Sequence, residues 1–281
     1  LTVEPTASYW DAGEYISTSA KLQVGHPPGA PFFQMMGAVF SMFASNNESI
    51  AIAVNFLSVV SSAFVILFLF WSTTLFLKKI SKKNNFTNDT NILLSSSIGA
   101  LAFTFSDSFW FNAVETEVYA LAMLFLSATF WCGLRWEKDF NNKRGDKWLL
   151  LICFLIGLSF GVHFMAILTI PAIGMIYFFK KYKKITIKNF VLANIISVSI
   201  LLFIFKLLLP STLSLFGQLE VFFVNSMGLP FNSGTIIAAF LIVFFFYKSL
   251  SYTKLKGMVQ ANTLILCILF IFIGFSSWLM L

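Results

Sequence analysis

Residues 50–77 read IAIAVNFLSVVSSAFVILFLFWSTTLFL, without one charged side chain. About 20 helical residues cross a hydrocarbon core of about 30 Å, so this run is predicted to span a membrane. Inside lipid every backbone polar group needs an internal partner, which leaves helices or a closed barrel. A barrel requires short segments of alternating polarity, and none are visible. Similar apolar runs lie at 91–106, 112–134, 148–163, 164–180, 189–209, 235–250 and 258–280. The expected fold is all-α: a polytopic transmembrane helical bundle of about eight spans. Composition agrees, with 11% charged residues and a mean hydropathy of +0.84, against about 25% charged residues in soluble domains.

Residues 31–45 (PFFQMMGAVFSMFAS) are apolar but short, close to the 10–14 residues typical of interfacial or re-entrant segments. They are expected to form an amphipathic or re-entrant helix on the outer surface. Charge fixes the topology. Nearly all of the 19 Lys and Arg fall in four clusters, at Lys78–Lys83, Arg135–Lys147, Lys180–Lys188 and Lys248–Lys256. These clusters follow alternate spans and are therefore cytoplasmic. Most of the 12 acids fall on the opposite face. If 31–45 crossed the membrane, the opening loop would share a side with the basic clusters despite having no basic excess.

The formal charge of +7 raises nucleic acid as a partner, but short basic clusters between spans argue against it. Cys132, Cys153 and Cys267 all lie inside apolar runs and lack metal-ligand spacing. They suit neither a disulfide framework nor a zinc site. Asn85-Phe86-Thr87 and Asn88-Asp89-Thr90 match the glycosylation tripeptide, and in an Asn-rich cytoplasmic loop they read as chance. No internal repeat is visible, which weakens a secondary-transporter reading. The chain opens without an initiator Met and stops within an apolar run at Leu281. It reads as a single membrane domain, 1–281, from a longer protein. Residues 1–49 are expected to form an outer catalytic loop with its surface helix, and residues 50–281 the transmembrane bundle.

Against this background, Trp10 to Pro31 (WDAGEYISTSAKLQVGHPPGAP) stands out as a long polar segment. Ionisable groups beside a bilayer are costly and are retained mostly where they act. Asp11 and Glu14 are three residues apart and share one face of a helical turn. Close carboxylates push their pKa values apart, which suits one of them for general-base work. The same pair suits a divalent cation equally. Trp10, Tyr15 and Ile16 are expected to anchor this turn in the interface. In Gly25-His26-Pro27-Pro28-Gly29 two prolines fix φ, and the rigid turn aims His26, which can bind phosphate, orient an acid or act as a base.

A second outward site is expected at 107–119 (DSFWFNAVETEVY), a short hairpin where Asp107, Glu115 and Glu117 add three acids. Five carboxylates on one face invite a cation or a cationic transition state, or structural pairing with Lys21. His163, in Gly161-Val162-His163-Phe164, lies at an outward junction of two short spans. Lys206 is read as snorkelling from its span, with contact to a phosphate as the alternative. Residues 210–234 are expected to form an outward loop that covers the site, with a surface helix at 217–225 broken by Gly228-Leu229-Pro230.

Four blocks carry a resemblance: YWDAGEYISTSAKLQVGHPPGAP, FNAVETEVYALAM, WLLLICFLIGLSFGVHFMAILTIPAI and FFVNSMGLPFNSG. In this order they resemble a bacterial, Bacteroidetes-type multi-pass family related to the protein O-mannosyltransferases. The resemblance covers most of residues 4–281. It implies a type-C glycosyltransferase that takes a sugar, mannose or another hexose, from a polyprenyl-phosphate carrier. It also implies a bacterial inner membrane with the active site on the periplasmic face, and exported proteins accepting at Ser or Thr. Asp11 matches the acidic motif of the first outer loop and would be the base that deprotonates or orients the acceptor hydroxyl, with Glu14 in support. Glu115 and Glu117 stand where several such enzymes carry a second acidic motif, but their Glu-x-Glu spacing leaves metal binding open. Displacing the carrier phosphate also needs positive groups, and Lys21, His26, His163 and Lys206 are the available donors. No cofactor is certain from this; a divalent cation is the one candidate.

Two other classes compete. A lipid-linked sugar flippase would place ionisable residues at mid-membrane depth and break helices in paired halves. A non-catalytic assembly subunit would keep the fold and tolerate loss of Asp11. Within the enzyme reading, a cell-envelope glycan or lipid is the alternative acceptor.

Overall fold

The computed structural model describes residues 2–84, 88–142 and 145–279. The tripeptide at 85–87, the basic residues Lys143 and Arg144, the side chain of Lys83 and the terminal Leu281 lie outside the described residues. The described residues are helical almost throughout and contain no strand.

Two short helices open the chain, α1 (Ala12–Lys21) and α2 (Pro31–Ser41). At 11 residues α2 rises about 16 Å, too little to cross a bilayer, in line with its expected surface role. Helix α3 (Ile50–Asn84) follows a capping box in which Asn46 Oδ1 accepts the Ser49 N–H at 2.9 Å. Next come α4 (Asp89–Thr104), α5 (Asp107–Val114), α6 (Val118–Asp139) and α7 (Asp146–Ser159). A 3-10 turn at Phe164–Leu168 leads into α8 (Thr169–Lys181). The remaining helices are α9 (Ile187–Leu202), α10 (Leu209–Val221), α11 (Ser233–Leu255) and α12 (Val259–Phe275).

Among the described residues six helical stretches are long and apolar enough to cross a membrane: Asn47–Lys82, Val118–Asp139, Phe164–Lys181, Ile187–Ser226, Ser233–Leu255 and Val259–Leu279. The pair α4 and α5, bent by 69°, makes up to seven. The polytopic helical bundle is therefore as expected, with three local differences. The segment at 148–163 gives only the 14-residue α7, because Phe160 to His163 leave the helix in a turn. The run expected to start at 112 starts at Val118, since residues 112–114 finish α5 and Glu115 and Glu117 are extended. The loop expected from 210 is helical to Ser226, joined to α9 through a π segment at Phe203–Leu208. Pro210 sits in the first turn of α10, where its missing N–H costs little.

The chain divides into two compact units, Leu1–Thr169 with Phe270–Leu281, and Ile170–Leu269. In the first, α3 and α6 run side by side in the same direction. Asn55 meets Thr116 at one end, and Lys79 meets Glu137 at the other. Trp131 on α6 packs against Phe68 and Trp71 of α3 between them. The core gathers Phe33, Leu57, Leu121, Phe125, Val162 and Ala166, so the short α2 is packed into the bundle by one face. The last turns of α12 close on α7, where a Cβ on Gly157 would lie 2.1 Å from the Ile271 carbonyl oxygen. In the second unit, α8 and α9 meet where Gly174 faces Ser197. There Glu220 ties α10 to the start of α11 by accepting the N–H groups of Asn232 and Thr235.

Candidate active site

The candidate residues of the polar segment converge at the first turn of α1. Asp11 occupies the position before the helix, yet its side chain makes no capping hydrogen bond. An aspartate there usually accepts an N–H from the first turn. Here the carboxylate is left half-exposed and free for other work. Glu14, one turn later, is committed to His26. Its Oε1 accepts the His26 backbone N–H at 2.6 Å, and its Oε2 lies 3.0 Å from His26 Nδ1. The other ring nitrogen, Nε2, lies 3.7 Å from Asp11 Oδ2.

Local sequence explains why the turn closes this way. Thr18 donates to the Glu14 carbonyl at 2.8 Å and accepts from the buried Gln34 of α2 at 3.3 Å, which pins α1 to α2. A Cβ at Gly25 would stand 2.9 Å from Gln34 Nε2 and 3.1 Å from Glu14 Oε1. A larger residue there would press on the oxygen that holds His26. At the start of α2, Gly161 carbonyl accepts the N–H groups of Phe32 (2.7 Å) and Phe33 (3.1 Å). That contact brings the 160–163 turn against the first turn of α2.

The second acidic site meets the first through Glu117. Its side chain is buried, as are Glu115 and Thr116. Burial pushes the Glu117 carboxyl up to about 7, the charge of Asp11 adds to this, and the backbone N–H groups of Val118 and Asp11 partly offset it. Glu117 is thus a carboxyl poised near neutrality beside the half-exposed Asp11. The Glu14 carboxyl is held below its ordinary value, first by the His26 N–H and then by the His26 ring. His26 is raised, chiefly by its hydrogen bond to Glu14. Tyr15 sits behind the pair, its ring 5.2 Å from Phe33 and 6.0 Å from His26. Burial and the surrounding acids lift its phenol to about 12, so it stays neutral.

The other expected residues divide. His163 stacks on Phe164 at 4.4 Å and lies 5.7 Å from Tyr119, two residues after Glu117. Burial lowers its pKa, and its Nδ1 has no hydrogen-bond partner among the described residues. Lys21 is exposed in the last turn of α1, about 15 Å along the axis from Asp11. Asp107 is exposed in the first turn of α5, the far end from Glu115. Lys206 belongs to the second unit, where its Nζ lies 5.1 Å from the Phe205 ring centre. Tyr15 and Ile16 turn toward the protein; of the three expected interfacial anchors only Trp10, 89% exposed, faces outward.

One residue was not expected at all. Asn55, buried on α3, accepts from Thr116 and donates to the carbonyls of Glu4 (2.6 Å) and Thr6 (3.1 Å). It clamps the opening segment to the second acidic loop. A lone Asn within an apolar span was the available signal.

One atom each of Asp11, Glu14 and His26 fall within 4.8 Å of one another, a spacing that suits a divalent cation. The detailed geometry fits an ion poorly. The two carboxylates address opposite nitrogens of one imidazole, and one ring cannot turn both nitrogens to a single metal. The arrangement is an imidazole hydrogen-bonded to Glu14 with the Asp11 carboxylate 3.7 Å from its other nitrogen, suited to holding and moving a proton.

No solved structure matches the chain. A Dictyostelium discoideum protein named protein O-mannosyl-transferase tmem260 is 29% identical over 147 residues. That match covers 51% of this chain and 16% of the relative, so the chain spans only a small part of that relative's length. Residues 11–186 match the family described as the protein O-mannosyl-transferase TMEM260 N-terminal domain. The matched region begins at Asp11 and holds Glu14, His26, Glu117 and His163, and by this match the chain belongs to the TMEM260 N-terminal domain family.

Proposed function

We propose that the chain is the catalytic membrane domain of a glycosyltransferase that moves mannose or another hexose from a polyprenyl-phosphate carrier to an acceptor hydroxyl. The acceptor is a Ser or Thr of exported proteins, on the periplasmic face of a bacterial inner membrane. The observation that carries this reading is the uncapped Asp11 carboxylate, held beside His26 at the end of α3 and α6 opposite their basic end. A lipid-linked sugar presents its reactive carbon at that depth. Asp11 is placed to take the proton of the attacking hydroxyl, which makes the oxygen nucleophilic as the carrier phosphate departs. Neutral Tyr15 and buried Glu117 bound the site, and His163, stacked nearby, offers a polar nitrogen to the donor. Membership in a family described by its O-mannosyl-transferase supports the same chemistry.

The test compares intact masses of exported proteins from cells carrying the full-length wild type or Asp11→Asn at equal membrane levels. Loss of hexose-sized increments in the variant is the expected result. Unchanged masses would overturn the protein-acceptor reading and direct the search to lipid-linked glycans.

A further inference from the structure

We infer that Glu14 is a positioning residue that fixes the tautomer of His26, and that His26 Nε2 takes the proton which Asp11 removes from the acceptor. The inference rests on the transferase reading and adds a division of labour among three residues of its site.

The orientation follows from two contacts. Glu14 Oε1 is held by the His26 backbone N–H at 2.6 Å, so the carboxylate cannot rotate freely. Its Oε2 then faces Nδ1 at 3.0 Å. A carboxylate only accepts, so in the neutral ring Nδ1 carries the hydrogen and Nε2 carries the lone pair. That lone pair faces Asp11 Oδ2 at 3.7 Å, a gap that a small side-chain rotation closes; such contacts are often loose before substrate binds. The charged groups around the ring are all acids: Asp11 from the position before α1, Glu14 from α1, and Glu117 from the loop before α6. The aromatic neighbour is Tyr15. An imidazolium formed there is flanked by carboxylates.

The step balances as follows. The acceptor O–H bond breaks and its proton moves to Asp11 Oδ2 while the oxygen bonds to the sugar's anomeric carbon. The bond from that carbon to the carrier phosphate breaks, and the phosphate leaves with the electron pair. Asp11 then passes the proton to His26 Nε2, and the half-exposed ring releases it to water. Asp11 is restored as a base for the next cycle. Glu14 touches neither sugar nor acceptor.

Glu14→Gln tests this directly. Its amide oxygen replaces Oε1 on the backbone N–H, which turns the amide NH2 toward Nδ1. The tautomer reverses: Nε2 now carries the hydrogen and cannot accept from Asp11. Rates are measured in membranes with the exported acceptor identified by the mass comparison, and ring nitrogens by NMR of the full-length protein labelled with 15N-histidine. His26→Gln assigns the His26 signal. The expected result is a loss of about 10²-fold in rate for Glu14→Gln and for His26→Gln, with the double variant no slower than either. The His26 signal is expected to change from Nδ1–H to Nε2–H in Glu14→Gln, with an unchanged thermal midpoint.

A fully active Asp11→Asn would overturn Asp11 as the base, and the relay with it. An inactive Asp11→Asn beside fully active Glu14→Gln and His26→Gln would leave the transferase reading standing and overturn the relay. A slow Glu14→Gln that keeps the Nδ1–H tautomer would place Glu14 on the substrate instead. Loss of wild-type activity on EDTA, with recovery on adding Mn2+, would make the three residues metal ligands and overturn it as well.

Discussion

The Thr116 hydroxyl donates to Asn55 Oδ1 across 61 residues of sequence, and both side chains are almost fully buried. The amide of Asn55 simultaneously donates to two carbonyls of the opening segment. One α3 side chain therefore holds the segment before Asp11 and the loop that carries Glu117. Asn55→Leu, close in size, leaves the Thr116 hydroxyl and two carbonyls without partners. A buried group left unsatisfied costs about 1–3 kcal/mol, so a loss of about 2 kcal/mol or more is expected. Thr116→Val, which leaves only Asn55 Oδ1 bare, should cost less. Thermal unfolding of both variants checks the order. Equal midpoints would show that the clamp contributes nothing.

Glu117 gives a prediction in pH. Its folded value of about 7 lies above the ordinary 4.5, so between these pH values the folded protein binds more protons than the unfolded one. Stability from this residue is fully present below about pH 4.5, falls as pH rises, and is gone above about pH 7. The difference corresponds to about 3 kcal/mol. Glu117→Gln keeps an acceptor for the Asp11 N–H and cannot ionise. Its thermal midpoint should match wild type near pH 4.5 and exceed it at pH 8. Parallel curves across that range would show that Glu117 does not ionise on its own in this window.

How much of this could be read in advance depends on what each feature rests on. The spans follow from apolar runs, because lipid leaves a backbone no choice but to pair with itself. Asp11, Glu14 and His26 were legible because a long polar segment in so apolar a chain has few bland explanations. The pairing within that group was not. Only the closed turn, with Gly25 against Gln34, shows that Glu14 binds His26 rather than a substrate or a metal. Burial of Glu117 depends on residues far away in sequence and left no local mark. The end of α9 misled for a different reason: Pro210 signals a stop, but a π segment absorbs it, and the helix runs on. Lys21 was grouped with the acids by proximity in sequence, yet a helix carries it away from them.

Close approach of α7 and α12 rests on two glycines. A Cβ on Gly157 would meet the Ile271 carbonyl oxygen at 2.1 Å, and one on Gly274 would meet the Phe154 carbonyl oxygen at 2.3 Å. Small residues allow such backbone contact between membrane helices. Gly157→Ala must push the helices apart or strain them, for a cost of about 1–3 kcal/mol. Gly274→Ala acts on the same interface, so the double variant should lose less than the sum of the singles. Unfolding midpoints in one detergent check this; full additivity would mean that the two contacts are independent.

The direction of the chain through the bilayer can be tested with the residues already described. Glu117 and Glu137 bracket α6 and stand about 30 Å apart along its axis, close to the thickness of a hydrocarbon core. The Glu137 end is the basic one: Lys79 pairs with Glu137 and Lys78 lies 3.5 Å from Asp89. Basic loops stay in the cytoplasm, which predicts that Asp11, His26 and Glu117 lie outside. The native Cys132, Cys153 and Cys267 are buried and should give a low background with a membrane-impermeant maleimide. Gln23 and Asn142 are exposed and belong to opposite ends of the first unit. In intact cells with a permeable outer membrane, Gln23→Cys should label and Asn142→Cys should not; after the inner membrane is opened, both should. Labelling of Asn142→Cys alone in intact cells would invert the topology and move the candidate site to the cytoplasmic face, where exported proteins could not be its acceptors after translocation.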